Sequence, residues 1–360
     1  MAAAHRKIVL TCVGGALIYD VIKALRSAPD FTVRLIGCDA DPQARGRVLM
    51  DRFVNVPLAE TDQSNYLAAI WDLVKEEQPD LILPLSEGES RVLAGVRDDL
   101  RRAGVAISVS SLEAVTVMTD KLTLMQRLSS RNVHSLDCMA VADEMELEAA
   151  LRELGYPNRS VVVKPRKASG ARGVWVFDAG VKEFRPSSNS RNSGIGDRDA
   201  IVQQVEEAGL SISDRVAMPF VKGPIYDVDC ISVDGTALDV VPRLRQWREA
   251  LSSASSGNRV EMNVAIIDYC RELCEALDVD GSGDFDVVLD EDGQAVVFDA
   301  GTRLSGSVGG AVVAGANIPA QLVRVLTGLE RIEFDVRDGC VIRPFLTFAE
   351  IPNQNQNDLL

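Results

Sequence analysis

The sequence predicts an α/β chain that opens on a doubly wound, largely parallel sheet and continues into a two-lobed α+β portion. Three observations carry this. Short apolar runs alternate with helix-spaced segments through the first third. From Val216 the strands become longer and antiparallel in character. Near the C-terminal end, acidic residues face each other across an Asp-Gly hairpin.

Ile8 to Val13 is a strand ending in Gly14-Gly15, and Ile18 to Leu25 follows with helical spacing. A second strand, Val33 to Cys38, ends in Asp39. A helix from about Tyr66 to Glu77 leads to a third strand, Leu81 to Leu83, and Val105 to Val109 is a fourth. Gly14-Gly15 with Asp39 admits a dinucleotide reading, with Asp39 on a ribose. The run T-C-V-G-G-A-L-I lacks the full G-x-G-x-x-G, so a tight strand-to-helix turn is favoured over NAD binding. Leu112 to Leu128 is helical and contains Thr119-Asp120-Lys121, with Lys121 on a helix start after Asp120. Val161 to Lys164 and Val174 to Phe177 read as strands around a glycine-containing loop. Ser187 to Asp199 is polar and is expected to be an exposed insertion. Strands at Val216–Val221, Tyr226–Val233 and Ala237–Pro242 precede a helix over Val264–Leu277, and Asn353–Leu360 reads as a frayed tail.

Composition narrows the function. With 53 acidic against 38 basic residues, the net charge of −15 disfavours nucleic acid and anionic membranes as partners. No apolar run reaches the roughly 18–20 residues of a membrane span, and Met1 to Lys7 carries no signal-peptide core, so a cytoplasmic location is expected. Seven cysteines without C-x-x-C spacing, and only two histidines, argue against zinc. Cys270 and Cys274, one helical turn apart, read as buried packing.

The chemistry concentrates between Asp284 and Ser307. An Asp292-Gly293 turn sets Asp286 opposite Asp299, with Asp284 on the same face. Facing carboxylates repel, so either a divalent cation lies between them or they point to solvent. Arg303 and the Ser305-Gly306-Ser307 stretch follow directly, which favours the cation together with a phosphate. Lys164 ends an apolar strand, and the small residues from Lys167 to Gly173 offer backbone amides for phosphates. No Walker loop occurs.

The order Thr119-Asp120-Lys121, Val163-Lys164-Pro165 with Ser169-Gly170, Met218-Pro219-Phe220-Val221 ahead of Asp229, and Asp286 with Asp299 through Ser307 resembles the ATP-grasp superfamily. Within it, the likeness is to the carbamoyl-phosphate-synthetase-like carboxylate–amine ligase branch. The resemblance implies a Rossmann-like domain over 1–112 and an ATP-grasp domain over 113–350. The latter divides into a linker helix and small lobe (113–215) and a large lobe with the metal site (216–350), before a tail at 351–360. It further implies that Lys121 and Lys164 contact ATP phosphates, that Ser169-Gly170 closes over them, and that Met218 to Val221 reads adenine. Asp286 and Asp299 would hold magnesium, or manganese in its place; Asp284, on the same face of the hairpin, is the candidate further ligand to compensate for Gly301. Arg303 would steady the transferring phosphoryl group or the acyl phosphate, and Arg243 and Arg245 match a position near the acid substrate, with a surface salt bridge as the other reading of that pair.

The implied reaction is ATP-dependent activation of a small carboxylic acid as an acyl phosphate, attacked by an amine to give an amide or peptide bond. A homodimer agrees with the resemblance. Two departures stand out: Gly301 replaces the usual asparagine ligand, and Ile225 occupies the position of a ribose-binding acid, for which Asp227 or Asp229 could substitute. They motivate an alternative, a nucleotide-binding regulator or scaffold without turnover. Substrate choice is expected to reside in loops such as Gln246–Arg259.

Overall fold

The computed structural model describes residues 3–15, 18–167, 173–187, 190–246 and 257–345. Its first sheet comprises β1 (Ala4–Thr11), β2 (Phe31–Asp39), β3 (Arg52–Asn55), β4 (Leu81–Leu83) and β5 (Ala106–Ile107), in the order β3-β2-β1-β4-β5. All its ladders are parallel, so each strand must return through a crossover. Helices α1 (Ile18–Arg26), α2 (Gln63–Glu77), α3 (Glu87–Ala94) and α4 (Arg97–Arg102) provide these connections. Asp62 and Ser86 cap α2 and α3 by accepting the Asn65 and Glu89 amides. Strand β3 escapes the sequence pattern because four partly exposed residues, R-F-V-N, at a sheet edge carry little periodic signal.

The helical stretch over 112–128 is two helices, α5 (Leu112–Met118) and α6 (Lys121–Ser130), the second starting at Lys121 as expected. Asp120 makes the break: its extended backbone stops the first turn, and its Oδ1 accepts the Leu122 and Thr123 amides of the next.

The second sheet contains β6 (Met139–Val141), β7 (Val161–Pro165), β8 (Trp175–Phe177), β9 (Arg185–Ser187), β10 (Ser190–Gly196) and β11 (Arg215–Pro219), in the order β6-β11-β7-β8-β10-β9. Helices α7 (Glu144–Glu153) and α8 (Arg198–Glu207) pack Leu147, Leu151, Ile201 and Val205 against it. Ser187–Asp199 is therefore no exposed insertion. Most of it is β10, whose Gly194 to Gly196 pair with β8. A Cβ at Gly194 would collide with the Phe184 ring and the Arg185 carbonyl, so its glycine reflects close packing.

The third sheet is antiparallel throughout. It contains β12 (Ile225–Val233), β13 (Thr236–Arg245), β14 (Asn258–Val260), β15 (Gly281–Leu289), β16 (Ala295–Gly301) and β17 (Val341–Ile342), in the order β16-β15-β12-β13-β14-β17. Helix α9 (Val264–Ala276) buries Ile266, Cys270, Leu273 and Cys274 with Leu124 and Leu128 of α6 on one face. On the other, α10 (Val308–Val313) and α11 (Ile318–Leu326) join Ile231 and Val241 to Ile8, Leu10 and Leu35 of the first sheet. A corner contact fixes the two sheets further: Arg101 lies 2.8 Å from Asp280, and a Cβ at Gly281 (φ +91°) would stand 2.9 Å from Ser108 Cα. Only glycine fits there without displacing backbone. No helix among the described residues is long and apolar enough to cross a membrane.

Candidate functional site

Directly paired residues of an antiparallel sheet share a face. The register pairs Arg243 with Asp227, Asp227 with Asp286, and Asp286 with Asp299, so four charged side chains cross one face of the third sheet in a row. A second row, two residues along, holds Val241, Asp229, Asp284 and Gly301. The opposite face carries Tyr226, Val228, Phe285 and Val287, which belong to the core beneath α9.

The Asp286–Asp299 pairing arises by a different route from the expected two-residue turn. The loop is Glu291-Asp292-Gly293: the Asp290 amide donates to the Gln294 carbonyl at 2.9 Å, and Gly293 takes φ +76°. Leu289 consequently faces Ala295, one residue out of the expected register. A bulge at Phe298 restores it before Asp299. That bulge also presents the Phe298 carbonyl to Lys164, whose Nζ donates to it at 2.6 Å.

Lys164, at the end of β7, is 6% exposed, and burial draws its pKa down to about 8 against the pull of Asp299. Lys121, the first residue of α6, is also buried and puts Nζ 3.0 Å from Asp299 Oδ1. Arg303 donates to Asp284 Oδ2 at 2.7 Å, and its other nitrogen lies 3.9 Å from Glu87. Arg245 bridges two acids, with Nη2 2.5 Å from Asp227 Oδ1 and 2.7 Å from Asp286 Oδ1. Burial raises Asp284 to about 8 and Asp286 to about 6, although Arg303 and Arg245 respectively oppose the shift.

Arg243 takes a different place from the one expected beside the acid substrate. It is fully buried, 2.7 Å from Asp229, and donates to the Ser305 and Ser307 hydroxyls at 2.8 and 2.7 Å. Its position opposite Asp227 and Val260 points it beneath the Ser305–Ser307 segment, which it anchors. Asp227 and Asp229 are buried as well. Asp227 accepts from Arg245 and Asn258, so neither acid is free for a ribose.

Among the described residues, no three or more His, Cys, Asp or Glu side chains form a ready-made cation cage. Asp284, Asp286 and Asp299 share a face, each beside a protein cation. The donors are all oxygens, and Asp284 Oδ2 lies in ordinary contact distance, 3.4 Å, of where a Cβ at Gly301 would sit. Such a set fits magnesium held by two carboxylates and completed by phosphate oxygens and water.

The comparisons with known proteins agree with this architecture. A family described as ATP-grasp in the biosynthetic pathway with Ter operon matches residues 211–345, which include the charged rows, the bulge and Arg303. Over these residues the chain is similar to ATP-grasp proteins. The carbamoyl phosphate synthase large chain of Clostridium acetobutylicum is 24% identical over 279 residues, covering 74% of this chain. The chain spans about a quarter (24%) of that relative's length. Two crystal structures share the fold. N5-carboxyaminoimidazole synthetase from Staphylococcus aureus, complexed with ADP, has a TM-score of 0.67 at 15% identity, covering 93% of this chain and 80% of that one. An L-amino acid ligase from Bacillus licheniformis has a TM-score of 0.65 at 15% identity, covering 92% and 77%.

Lys164 pairs with Val216 of β11, so the lysine and the strand leading to Met218–Val221 belong to one ladder. Met218 is buried, Pro219 to Val221 are half-buried, and the Phe220 amide donates to the Ser160 carbonyl at 3.0 Å. Ser169 and Gly170 lie outside the described residues, as do 247–256 of the expected substrate loop and the tail. The segment holding Ser169 and Gly170 is flanked by anchors. Arg166 donates to Asp120 at 2.7 Å, while Arg215 stacks on Trp175 and donates to the Gly173 carbonyl at 2.6 Å. Arg245, Asp227 and Glu87 carry more of the site's charge pairing than the sequence pattern alone suggests. The signal for the first two was present: acids at 227 and 229 and arginines at 243 and 245 alternate at strand spacing.

Proposed function

We propose that the chain is an ATP- and magnesium-dependent ligase that activates a small carboxylic acid for attack by an amine. The observation that carries this is the convergence of Lys121, Lys164 and Arg303 on the face that bears Asp284, Asp286 and Asp299. In this reading Lys121 and Lys164 bind the ATP phosphates, the Met218–Val221 backbone receives adenine, and Ser169-Gly170 covers the phosphates. An oxygen of the acid attacks the γ-phosphorus and ADP leaves. Arg303 neutralises the charge spread over the transferring group. The lone pair of the neutral amine then attacks the acyl carbon, phosphate departs with the bonding pair, and the proton shed by the nitrogen goes to the phosphate or to water. Magnesium on Asp286 and Asp299, with Asp284 beside them, would supply a counter-charge for the phosphates. Arg243 acts by holding Ser305 and Ser307. The ADP of the Staphylococcus relative and the ligase named in the Bacillus relative support this reading.

Incubation with ATP, magnesium, hydroxylamine and a broad panel of acids is expected to release ADP and a hydroxamate for at least one acid. ATP binding without a hydroxamate from any acid would count against the ligase.

One observation favours a nucleotide-binding regulator instead: every candidate metal carboxylate already has a protein cation beside it. Proton linkage separates the two. Metal-free ATP brings negative charge near Lys164, Asp284 and Asp286, favouring the protonated form of each. Binding should therefore take up protons between about pH 6 and 9 and weaken as pH rises. Magnesium favours ionised carboxylates, so a ligase should show less uptake, or release, when metal is added. Calorimetry in buffers of different ionisation enthalpy counts the protons; uptake indifferent to magnesium would support the regulator.

A further inference from the structure

The acid row Asp227, Asp286 and Asp299 runs over three neighbouring strands, so it contains two gaps between facing carboxylates. Like charges set opposite each other repel unless a cation stands between them. The two gaps are served differently. Arg245 Nη2 lies 2.5 Å from Asp227 Oδ1 and 2.7 Å from Asp286 Oδ1, so one guanidinium spans the first. The second, between Asp286 and Asp299, is bordered on one side by Lys121. Exposure separates them too. Asp227 is 2% exposed, whereas the Asp286 and Asp299 side chains are 26% and 30% exposed, open to an ion arriving with its water.

Arg245 is drawn to the first gap from a neighbouring row. It stands one step beyond Leu244, the partner of Tyr226, which puts Ile225 next to it on β12 and Val288 beyond that on β15. Neither side chain accepts a hydrogen bond, and a cation left against them would lose water without gaining a partner. The head group therefore turns two residues along, to Asp227 and Asp286. Asn258 pairs with Arg245 from the other side and makes the same turn, donating to Asp227 Oδ2 at 2.8 Å. Both Asp227 oxygens are thus taken by protein donors.

We infer that Arg245 is a resident cation standing in for a divalent ion between Asp227 and Asp286, so that metal is confined to the gap between Asp286 and Asp299. The inference rests on the magnesium part of the reading above and adds the residue that sets how many ions the acid row takes. A guanidinium satisfies two carboxylates through directed N–H donors and cannot leave, whereas a bound ion exchanges with solvent. Arg245 also acts on the remaining metal position without touching it. By holding Asp286 Oδ1, it fixes the direction in which that carboxylate offers its other oxygen. Arg245 is in this sense a positioning residue.

The probe is manganese alone, counted on the full chain from the loss of the free-ion EPR signal, without nucleotide so that no phosphate adds ligands. Arg245→Met should bind one more ion per chain than the wild type. Arg245→Lys keeps a cation in the gap and should bind the wild-type number. Arg245→Met combined with Asp227→Asn removes one of the two acids and should return to that number as well. Manganese should also raise the melting temperature of Arg245→Met by several degrees more than that of the wild type, because the ion replaces the missing charge. An Arg245→Met chain that gains no ion, or that is unfolded and not recovered by manganese, would overturn the inference, as would an extra ion that survives Asp227→Asn. The same counts keep the two readings apart. One ion in both the wild type and Arg245→Met retains the native metal and removes Arg245's role. None in the wild type and one in Arg245→Met retains that role and counts against the native metal.

Discussion

Replacing Lys164 with methionine is expected to slow ATP turnover by about 10²- to 10³-fold while leaving the folded chain as stable as before or more so. Lys164 is 6% exposed and its pKa falls to about 8, mainly because burial strips water from the ammonium. Against an unfolded value near 10.4, holding the charged form at pH 7 costs about 3 kcal/mol. Methionine keeps most of the stem volume and gives up the bond to the Phe298 carbonyl, a loss of about 1 kcal/mol. The balance favours the variant below pH 8. The advantage shrinks as pH rises and vanishes by about pH 10.5, where the wild-type lysine is neutral in both states. ADP release and urea melts at pH 7, 9 and 10.5 check both halves. A variant that loses stability but keeps its turnover would reduce Lys164 to a strut for the bulge.

What could be read from the sequence followed from periodicity and turn chemistry. Val161–Lys164 is a continuous apolar run ending in a charge, and Asp292-Gly293 marks a hairpin, so Lys164 and the Asp286–Asp299 pair were legible. The three-residue loop and the Phe298 bulge were not, because two opposite one-residue offsets cancel and leave no trace in the pattern of apolar residues. Strand β10 was misread since its glycines and serines look like a loop, and only the Phe184 ring packed on Gly194 explains them. Arg243 and Arg245 are two residues apart and share a face, yet one is sealed under Ser305–Ser307 and the other bridges Asp227 to Asp286. That difference depends on a segment some sixty positions away (62 to Ser305), which strand spacing cannot convey. Glu87 lay outside every motif because its partner Arg303 comes from another sheet's loop.

Arg243→Met should cause a large loss of stability, about 3–5 kcal/mol at pH 8. The guanidinium is fully buried 2.7 Å from Asp229, itself 1% exposed, so its removal leaves a carboxyl in the sheet with no cation against it. The paired Asp284 offers no relief, being another acid whose pKa burial has raised. Asp229 is already raised by burial, with Arg243 the main opposing pull, and without that pull it must rise further. In the unfolded chain the same carboxyl ionises near pH 3.9, so between that value and the higher folded one the unfolded state binds fewer protons. Stability therefore falls with rising pH, by about 1.4 kcal/mol per unit, and the variant's deficit should be smaller at pH 5 than at pH 8. Urea titrations at the two values measure the difference. Pairing Arg243→Met with Asp229→Leu should recover most of the loss, since apolar replacement of a whole buried pair is often neutral or better. A single variant with wild-type stability and only a raised KM for the acid would instead return Arg243 to the substrate, in conflict with its place beneath Ser305 and Ser307.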